Sequence, residues 1–384
     1  MTYDLLIKNG HVIDPFQGLD GAYDVAIAGG QVAAIAPMIS DNSAAEVRDV
    51  AGLYVVPGLI DLHTHVYWGG TFLGVDPGRV ARESGMTTAV DAGSAGASNI
   101  RGLLELVAPR TPVRILAFLN LAITGLFVDA GRITVGEAED LRLLSMPHCV
   151  EAAKAYAKHV VGIKIRVGAS TTAHLGAMPL HMAIRAAELA GDLPVMAHIG
   201  AGMPPRIEDI VDPLRAGDVL THFCTPKANS PLKPDGALRE CMIAARERGV
   251  IMDVGHGSGS FGFDVAKAML EVGFTPNVIS SDVHANCIDG PAYNVLHTMS
   301  KFLALGLPLV DVIRAATATP AAVCRRTDLG TLKPGSPGDV TILELRNGPV
   351  TFKDSIGGTL NADRQLISRG MVLGGQLWPV AEAA

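Results

Sequence analysis

The stretch Pro57-Gly58-Leu59-Ile60-Asp61-Leu62-His63-Thr64-His65 decides how the rest of the chain is read. Its first part has the apolar character of a buried strand, and it closes on two histidines separated by one residue. Residues i and i+2 of a strand share a face. His63 and His65 can therefore offer two imidazoles to one ion from the carboxyl end of that strand. The reading stands or falls on whether later strands end in further ligands.

From residue 58 onward, short β-branched runs alternate with helical stretches. Candidate strands lie at 59–62, 87–92, 113–120, 160–167, 194–198, 219–222, 250–254 and 278–281. Helical periodicity falls at 151–159, 180–189, 236–247 and 263–272, and the less regular interval 123–146 has room for an extra helix. Eight apolar strands separated by helices over 58–324 predict an α/β protein built on a (β/α)8 TIM barrel. Residues 1–57 read as β structure, with one turn expected at Asn9-Gly10 and a second hairpin turning at Gly29-Gly30. After Pro320 the chain returns to β character: a turn-rich segment runs into a strand ending near Leu343, and 368–372 with 376–379 suggest another hairpin. The two ends, 1–57 and 325–384, are expected to form one small β-sandwich domain beside the barrel, with 381–384 a loose tail.

Composition narrows the function classes. The chain has 384 residues, 48% hydrophobic and 18% charged, which suits a large buried interior. Its net charge of −7, without a Lys/Arg run, lacks the basic footprint of a nucleic-acid binder. Cys149, Cys224, Cys241, Cys287 and Cys324 are scattered and never form a CxxC pair, so free thiols in a reducing compartment are expected. The longest apolar run, 113–128, is shorter than the roughly 20 residues of a spanning helix. The first residues show no signal-peptide pattern. A soluble cytoplasmic protein without a membrane partner is the expectation.

The active site of such a barrel lies at the carboxyl ends of its strands. There the sequence places His63 and His65 on the first strand, Lys164 on the fourth, His198 on the fifth, His222 on the sixth and Asp282 on the eighth. Taken singly, each has an ordinary structural role: a satisfied histidine, a helix N-cap for Asp282, a snorkelling lysine. Their joint occurrence, in order along the candidate strands, points to a metal site.

This pattern resembles the amidohydrolase superfamily over essentially the whole chain. In its binuclear members, the resemblance implies, two divalent metal ions, zinc by preference, share the site. His63, His65 and Asp282 would hold the more buried ion, and His198 with His222 the second. Lys164, as a carboxylated lysine, would bridge them. An ammonium has no lone pair to offer a cation, whereas a carbamate has two oxygens. The implied mechanism uses a bridging hydroxide, with Asp282 as the catalytic proton carrier.

The substrate is read from the neighbours of these ligands. Arg166, two residues beyond Lys164, can face the barrel mouth and hold a carboxylate through its guanidinium fork, or it can pair with a loop acid. Tyr67 and Trp68 stand where dihydroorotases usually carry an arginine, and suggest an aromatic wall. His256, in the glycine-rich run 255–260, and His284, two residues past Asp282, complete the candidate substrate or supporting set. The runs 162–166, 253–256 and 281–284 resemble the deacetylase group of the superfamily. That resemblance implies hydrolysis of an acyl ester or amide of a small carboxylate, such as an N-acyl amino acid or an O-acetyl 2-hydroxy acid. A cyclic-amide hydrolase of dihydroorotase or hydantoinase type is the alternative, and a non-enzymatic assembly role would not require all six ligands. Barrels of this type commonly associate, which makes a homo-oligomer a candidate arrangement.

Overall fold

The computed structural model describes residues 3–126 and 137–378. Part of the irregular interval 123–146, Pro379 and the tail 381–384 therefore lie outside the described residues. No described helix is long and apolar enough to cross a membrane.

The first strands are β1 (Tyr3–Asp14), β2 (Leu19–Ala28), β3 (Gln31–Ala36), β4 (Ala44–Asp49) and β5 (Tyr54–Pro57). They join the last three, β13 (Val340–Lys353), β14 (Thr359–Leu373) and β15 (Gln376–Trp378), in one hydrogen-bonded sheet of order β15-β14-β13-β5-β1-β2-β3, with β4 paired to β1. The antiparallel register Val340↔Pro57 to Leu343↔Tyr54 is where the two ends of the chain meet. The Gly29-Gly30 turn forms as expected: both residues have positive φ, 57° and 75°, and close a two-residue hairpin with Ala28 opposite Gln31.

Asn9-Gly10 is not a turn. It is an irregularity inside the continuous strand β1, between Ile7 and Gly10 in the pairing with β2. The glycine is there for space: a Cβ on Gly10 would sit 2.4 Å from Val55 Cγ2 on the adjacent strand. The long β13–β14 hairpin extends well past the 343 and 368 limits read from the sequence; its outer half is largely exposed and polar, with Phe352 buried and Val350, Leu360 and Ala362 packed against the main core.

Between the two terminal segments, β6 (Leu59–Thr64), β7 (Met86–Gly96), β8 (Arg114–Asn120), β9 (Val160–Val167), β10 (Val195–Ile199), β11 (Val219–Thr221) and β12 (Ile251–Asp253) form a curled parallel sheet in sequential order. Parallel strands covered on both faces read as continuous apolar runs, which is why seven of the expected strands coincide with these. The eighth, around 278–281, is not a regular strand. It makes isolated parallel bridges, Val278 to Asp253 and Val283 to Thr64, and so links the two edges of the sheet. Helices Met146–Ala155, Met178–Leu189, Glu240–Glu247 and Phe263–Glu271 lie on the expected periodic stretches. Helix Pro77–Ser84, not expected, has explicit signals: Asp76 accepts from Gly78 N at 2.8 Å as N-cap, and Pro77 opens the first turn.

One apolar cluster, including Ile60, Val90, Leu116, Phe118, Met196, Val219 and Val278, is drawn mainly from the strands, with Ala321, Val323, Cys324 and Leu329 added from the segment after them. A larger one packs strands against helices. A third, with Leu5, Ile7, Val25, Val55, Val340 and Val372, belongs to the terminal sheet.

Gly10→Ala should destabilise the protein by about 1–3 kcal/mol through overpacking against Val55. A urea midpoint equal to that of the wild type would show that β1 and β5 can separate without cost.

Candidate active site

Sheet register builds the site row by row. In neighbouring strands Asn120 pairs with Lys164 and Lys164 with Met196. One step further along, Arg166 pairs with His198, His198 with Thr221, and Thr221 with Asp253. Strand alternation thus turns apolar rows deep in the sheet into polar rows at its carboxyl ends. On β6 the register with β7 slips between Asp61 and Thr64, which resets the alternation as the chain enters the histidine pair. His222 and Asp282, just past their strands, have positive φ of 69° and 50°. Such backbone is costly for a residue with a Cβ and recurs at functional sites; here it aims both side chains inward.

His63, His65, Lys164, His198, His222 and Asp282 all line one cavity of about 250 Å³. Asp282 Oδ1 lies 3.3 Å from His63 Nε2 and 3.1 Å from His65 Nε2. Candidate ligand atoms of His63, His222 and Asp282 lie within 4.8 Å of one another, close enough to hold one ion. His222 Nε2 and His198 Nδ1 are 2.7 Å apart, so a shared proton or cation would satisfy both nitrogens. Lys164 is 1% exposed, with Nζ 3.3 Å from His63 Nε2.

The supporting bonds set the tautomers. Thr221 Oγ1 donates to Asp253 Oδ2 at 2.7 Å, and so accepts from His63 Nδ1 at 2.8 Å. His222 Nδ1 donates to the Gly255 carbonyl at 2.6 Å. In both rings Nε2 is left carrying the lone pair, and that of His222 meets His198 Nδ1. His65 Nδ1 meets Ser94 Oγ at 2.9 Å, and Ser94 N donates to Asp91 Oδ1 at 2.7 Å. Burial holds His63 and His198 well below the ordinary histidine pKa and lowers His222 to about 4, which keeps the rings neutral. Burial also lowers Lys164 to about 8. Asp282 is pushed up by burial but held well below the carboxylate range by His63 and its hydrogen bond to His65. These chemical donors suit a borderline-soft divalent ion: neutral imidazoles, one ionised carboxylate, and a dry surround.

Arg166 also lines the cavity, with Nη1 3.3 Å from Glu137 Oε2, so the loop-acid pairing is present beside the open face. His284 lines the same cavity, and its ring lies 6.1 Å from that of His65. Tyr67, Trp68 and His256 are not brought to it. Tyr67 turns into the core and donates to the Asn99 carbonyl at 2.9 Å, because 66–70 folds into a tight turn instead of continuing the strand. Trp68 projects outward, 59% exposed. His256 is fully buried behind the wall, stacked on Phe261. The expected aromatic wall is absent among the described lining residues, which instead include Lys227, Ser170, Ser258, Ser260 and Asn286. Those residues sit on irregular loops, and no periodic pattern marks them. Thr221, Ser94 and Asp91 were equally unread; Thr221 ends β11, Ser94 sits two residues before the end of β7 and Asp91 lies in its middle.

A larger groove of about 450 Å³ lies at the opposite, amino ends of the strands, around Pro194, Asp218 and Ile251. Its Arg215 is already committed to Asp218 and the Leu193 carbonyl. That end of a barrel usually serves stability, and the chemistry is at the other.

Comparison with known proteins agrees with this geometry. The profile of the amidohydrolase family matches residues 54–374. A deacetylase of Brucella anthropi is 33% identical over 93% of this chain and 88% of its own length. A deacetylase of Enterococcus faecalis is 31% identical over 98% of this chain and all of its own. Among solved structures, one described as an adenine deaminase superposes with TM-score 0.92 at 31% identity, covering 98% of this chain and 99% of that one. Another, described as a dihydroorotase, gives 0.88 at 30%, covering 97% and 98%. With profile, near-full-length relatives and a strand-end cluster of ligating side chains in agreement, the chain belongs to the amidohydrolase family.

Proposed function

We propose that this chain is a binuclear metal-dependent deacylase that cleaves an acyl ester or amide of a small carboxylate. The observation that carries the reading is the convergence of His63, His65, Lys164, His198, His222 and Asp282 on one cavity that also exposes Arg166. The names of the full-length relatives support deacetylation over other reactions of the family. The cavity also favours an anionic substrate: it carries Arg166 and Lys227, and no Phe, Tyr or Trp among its described lining on which a purine would stack. We assign the fold as a (β/α)8 barrel over 58–324 beside a small β-sandwich domain of 1–57 and 325–384, which has its own apolar core drawn from both ends.

His63, His65 and Asp282 would hold one ion, His198 and His222 a second, and Lys164 both. Zinc suits this donor set. For Lys164 the role requires a carbamate, formed when the free amine takes up CO2 and releases a proton. A lysine lowered to about 8 has a substantial neutral fraction near physiological pH. Once bound, the ions supply Lewis acidity toward a carbonyl and bring the pKa of a water near 7. Asp282, ionised at rest, takes the proton of the attacking water and delivers it to the departing oxygen or nitrogen. Arg166, steadied by Glu137, holds the substrate carboxylate. Neither role distinguishes ester from amide. The cyclic-amide alternative is favoured by the structural likeness to a dihydroorotase. Turnover of dihydroorotate or a hydantoin, with none of acyl amino acids or acetylated 2-hydroxy acids, would replace the first reading with it.

Chelation should abolish hydrolysis, and zinc with bicarbonate should restore it together with about two equivalents of metal, as two-metal hydrolases require. Lys164→Ala should remove activity, part of which returns on adding a short carboxylate; full activity in that variant would exclude a bridging carbamate. Arg166→Met should raise KM for carboxylate-bearing substrates and spare neutral esters, and equal losses on both would assign Arg166 a purely structural part. Thr221→Val removes the acceptor that orients His63 and should weaken metal affinity by roughly 10–100-fold, measured by competition with a chromophoric chelator.

A further inference from the structure

Lys301, on helix Val295–Ala304, is buried to 0% exposure, yet it lies outside the cavity and the mechanism above has no use for it. An ammonium has three N–H donors, and here each has an acceptor. Nζ lies 2.7 Å from His256 Nε2, 2.8 Å from the Pro291 carbonyl and 2.7 Å from the Lys353 carbonyl. The tautomer is consistent: His256 Nδ1 donates to the Gly257 carbonyl at 2.9 Å, so Nε2 is the accepting nitrogen. All three partners are uncharged, and they come from three separate segments. His256 belongs to the loop whose Ser258, Gly259 and Ser260 line the cavity. Pro291 belongs to the loop that begins with Asp282, carries His284 and Asn286, and runs to Asn294 before helix Val295–Ala304. Lys353 belongs to β13 of the terminal sheet.

The link from His256 to the reacting centre is short. Gly257 follows it, donates to the Ser281 carbonyl at 2.9 Å, and packs so closely on Asp282 that a Cβ there would lie 2.3 Å from Oδ2. Any shift of the 255–260 loop is therefore transmitted to the carboxylate. Burying a lysine without an acid partner is costly, and the apolar alternative of similar length, methionine, would pack without that cost.

We propose that Lys301 is a positioning residue for Asp282. It ties the loops after β12 and around 284–291 to the terminal sheet, and acts through His256 and Gly257. This rests on the hydrolase reading for its activity arm only. In metal-loaded Lys301→Met, kcat should fall on the order of tenfold to a hundredfold while KM stays within about threefold. Bound metal should equal that of the wild type. Wild-type kcat in a folded Lys301→Met protein overturns the proposal. Two milder variants decide the matter if that one does not fold. His256→Gln can keep an acceptor facing Lys301, whereas His256→Asn keeps only the donor facing Gly257. Gln should retain more kcat than Asn, and wild-type kcat in both overturns the proposal. Amide exchange over 255–262 and 284–291, followed without substrate, should quicken in the variants, and unchanged protection again overturns the proposal. Because that arm needs no turnover, a wild-type protein inactive on every acyl carboxylate would sink the hydrolase reading and still leave Lys301 tested.

Discussion

Two backbone hydrogen bonds hold the candidate site together. Asp282 N donates to the His63 carbonyl at 2.7 Å, and His65 N donates to the Val283 carbonyl at 2.9 Å. They join the first strand of the parallel sheet to the segment that follows its last, across more than two hundred residues of chain. Asp282 meets His63 and His65 only because the sheet curls far enough for its edges to touch. The same edge contact gives Asp61 its partners: its carboxylate accepts from Ser281 N at 3.0 Å and from the Ser281 hydroxyl. Burial raises Asp61 to about 7 despite those bonds, and such a group tolerates its position only while Ser281 stays in place. Closing the sheet and assembling the ligands are therefore one event.

Around that seam the protein keeps imidazoles neutral without leaving them loose. Burial strips charge from His63, His198 and His222, which a cation site requires. Burial alone would let the rings rotate. The Asp253–Thr221–His63 chain and the Gly255 carbonyl at His222 remove that freedom by fixing one ring nitrogen of each as a donor. Asp253 is itself raised to about 6 by burial, against its bonds from Ser280 and Thr221. The polar shell is thus expensive, and only a fully connected shell returns that expense as rigidity.

Much of this was legible in the chain, for a physical reason. A parallel strand buried on both faces has to be apolar from end to end, so a ligating side chain at its carboxyl end stands out against the run before it. Lys164 inside β9 and His198 near the end of β10 were visible in this way as candidates. The eighth strand was read as regular because Val278-Ile279 opens a β-branched run like the others, yet its backbone is drawn into single bridges where it spans two edges. Tyr67 and Trp68 misled because strand periodicity was carried past His65, where the chain turns: the Trp68 and Gly70 amides bond back to 66 and 67. His256 misled in the opposite sense. Its loop does line the cavity, but alternate residues of an irregular loop obey no period, and this one points into the core. Thr221 carries no pattern at all, since a threonine in a β run is ordinary.

The pairing of Arg166 with Glu137 bears on how such a cavity selects an anion. A guanidinium deep in the wall without a counter-charge would have to be desolvated alone. Glu137 relieves that, and it is itself raised by burial and lowered again by Arg166. Arg166 Nη1 lies 3.3 Å from Glu137 Oε2, and Glu137 also accepts from Asn120 Nδ2 at 2.5 Å. The ion pair orients the arginine at the cavity wall during folding, which leaves less of its rotamer entropy to be lost there later.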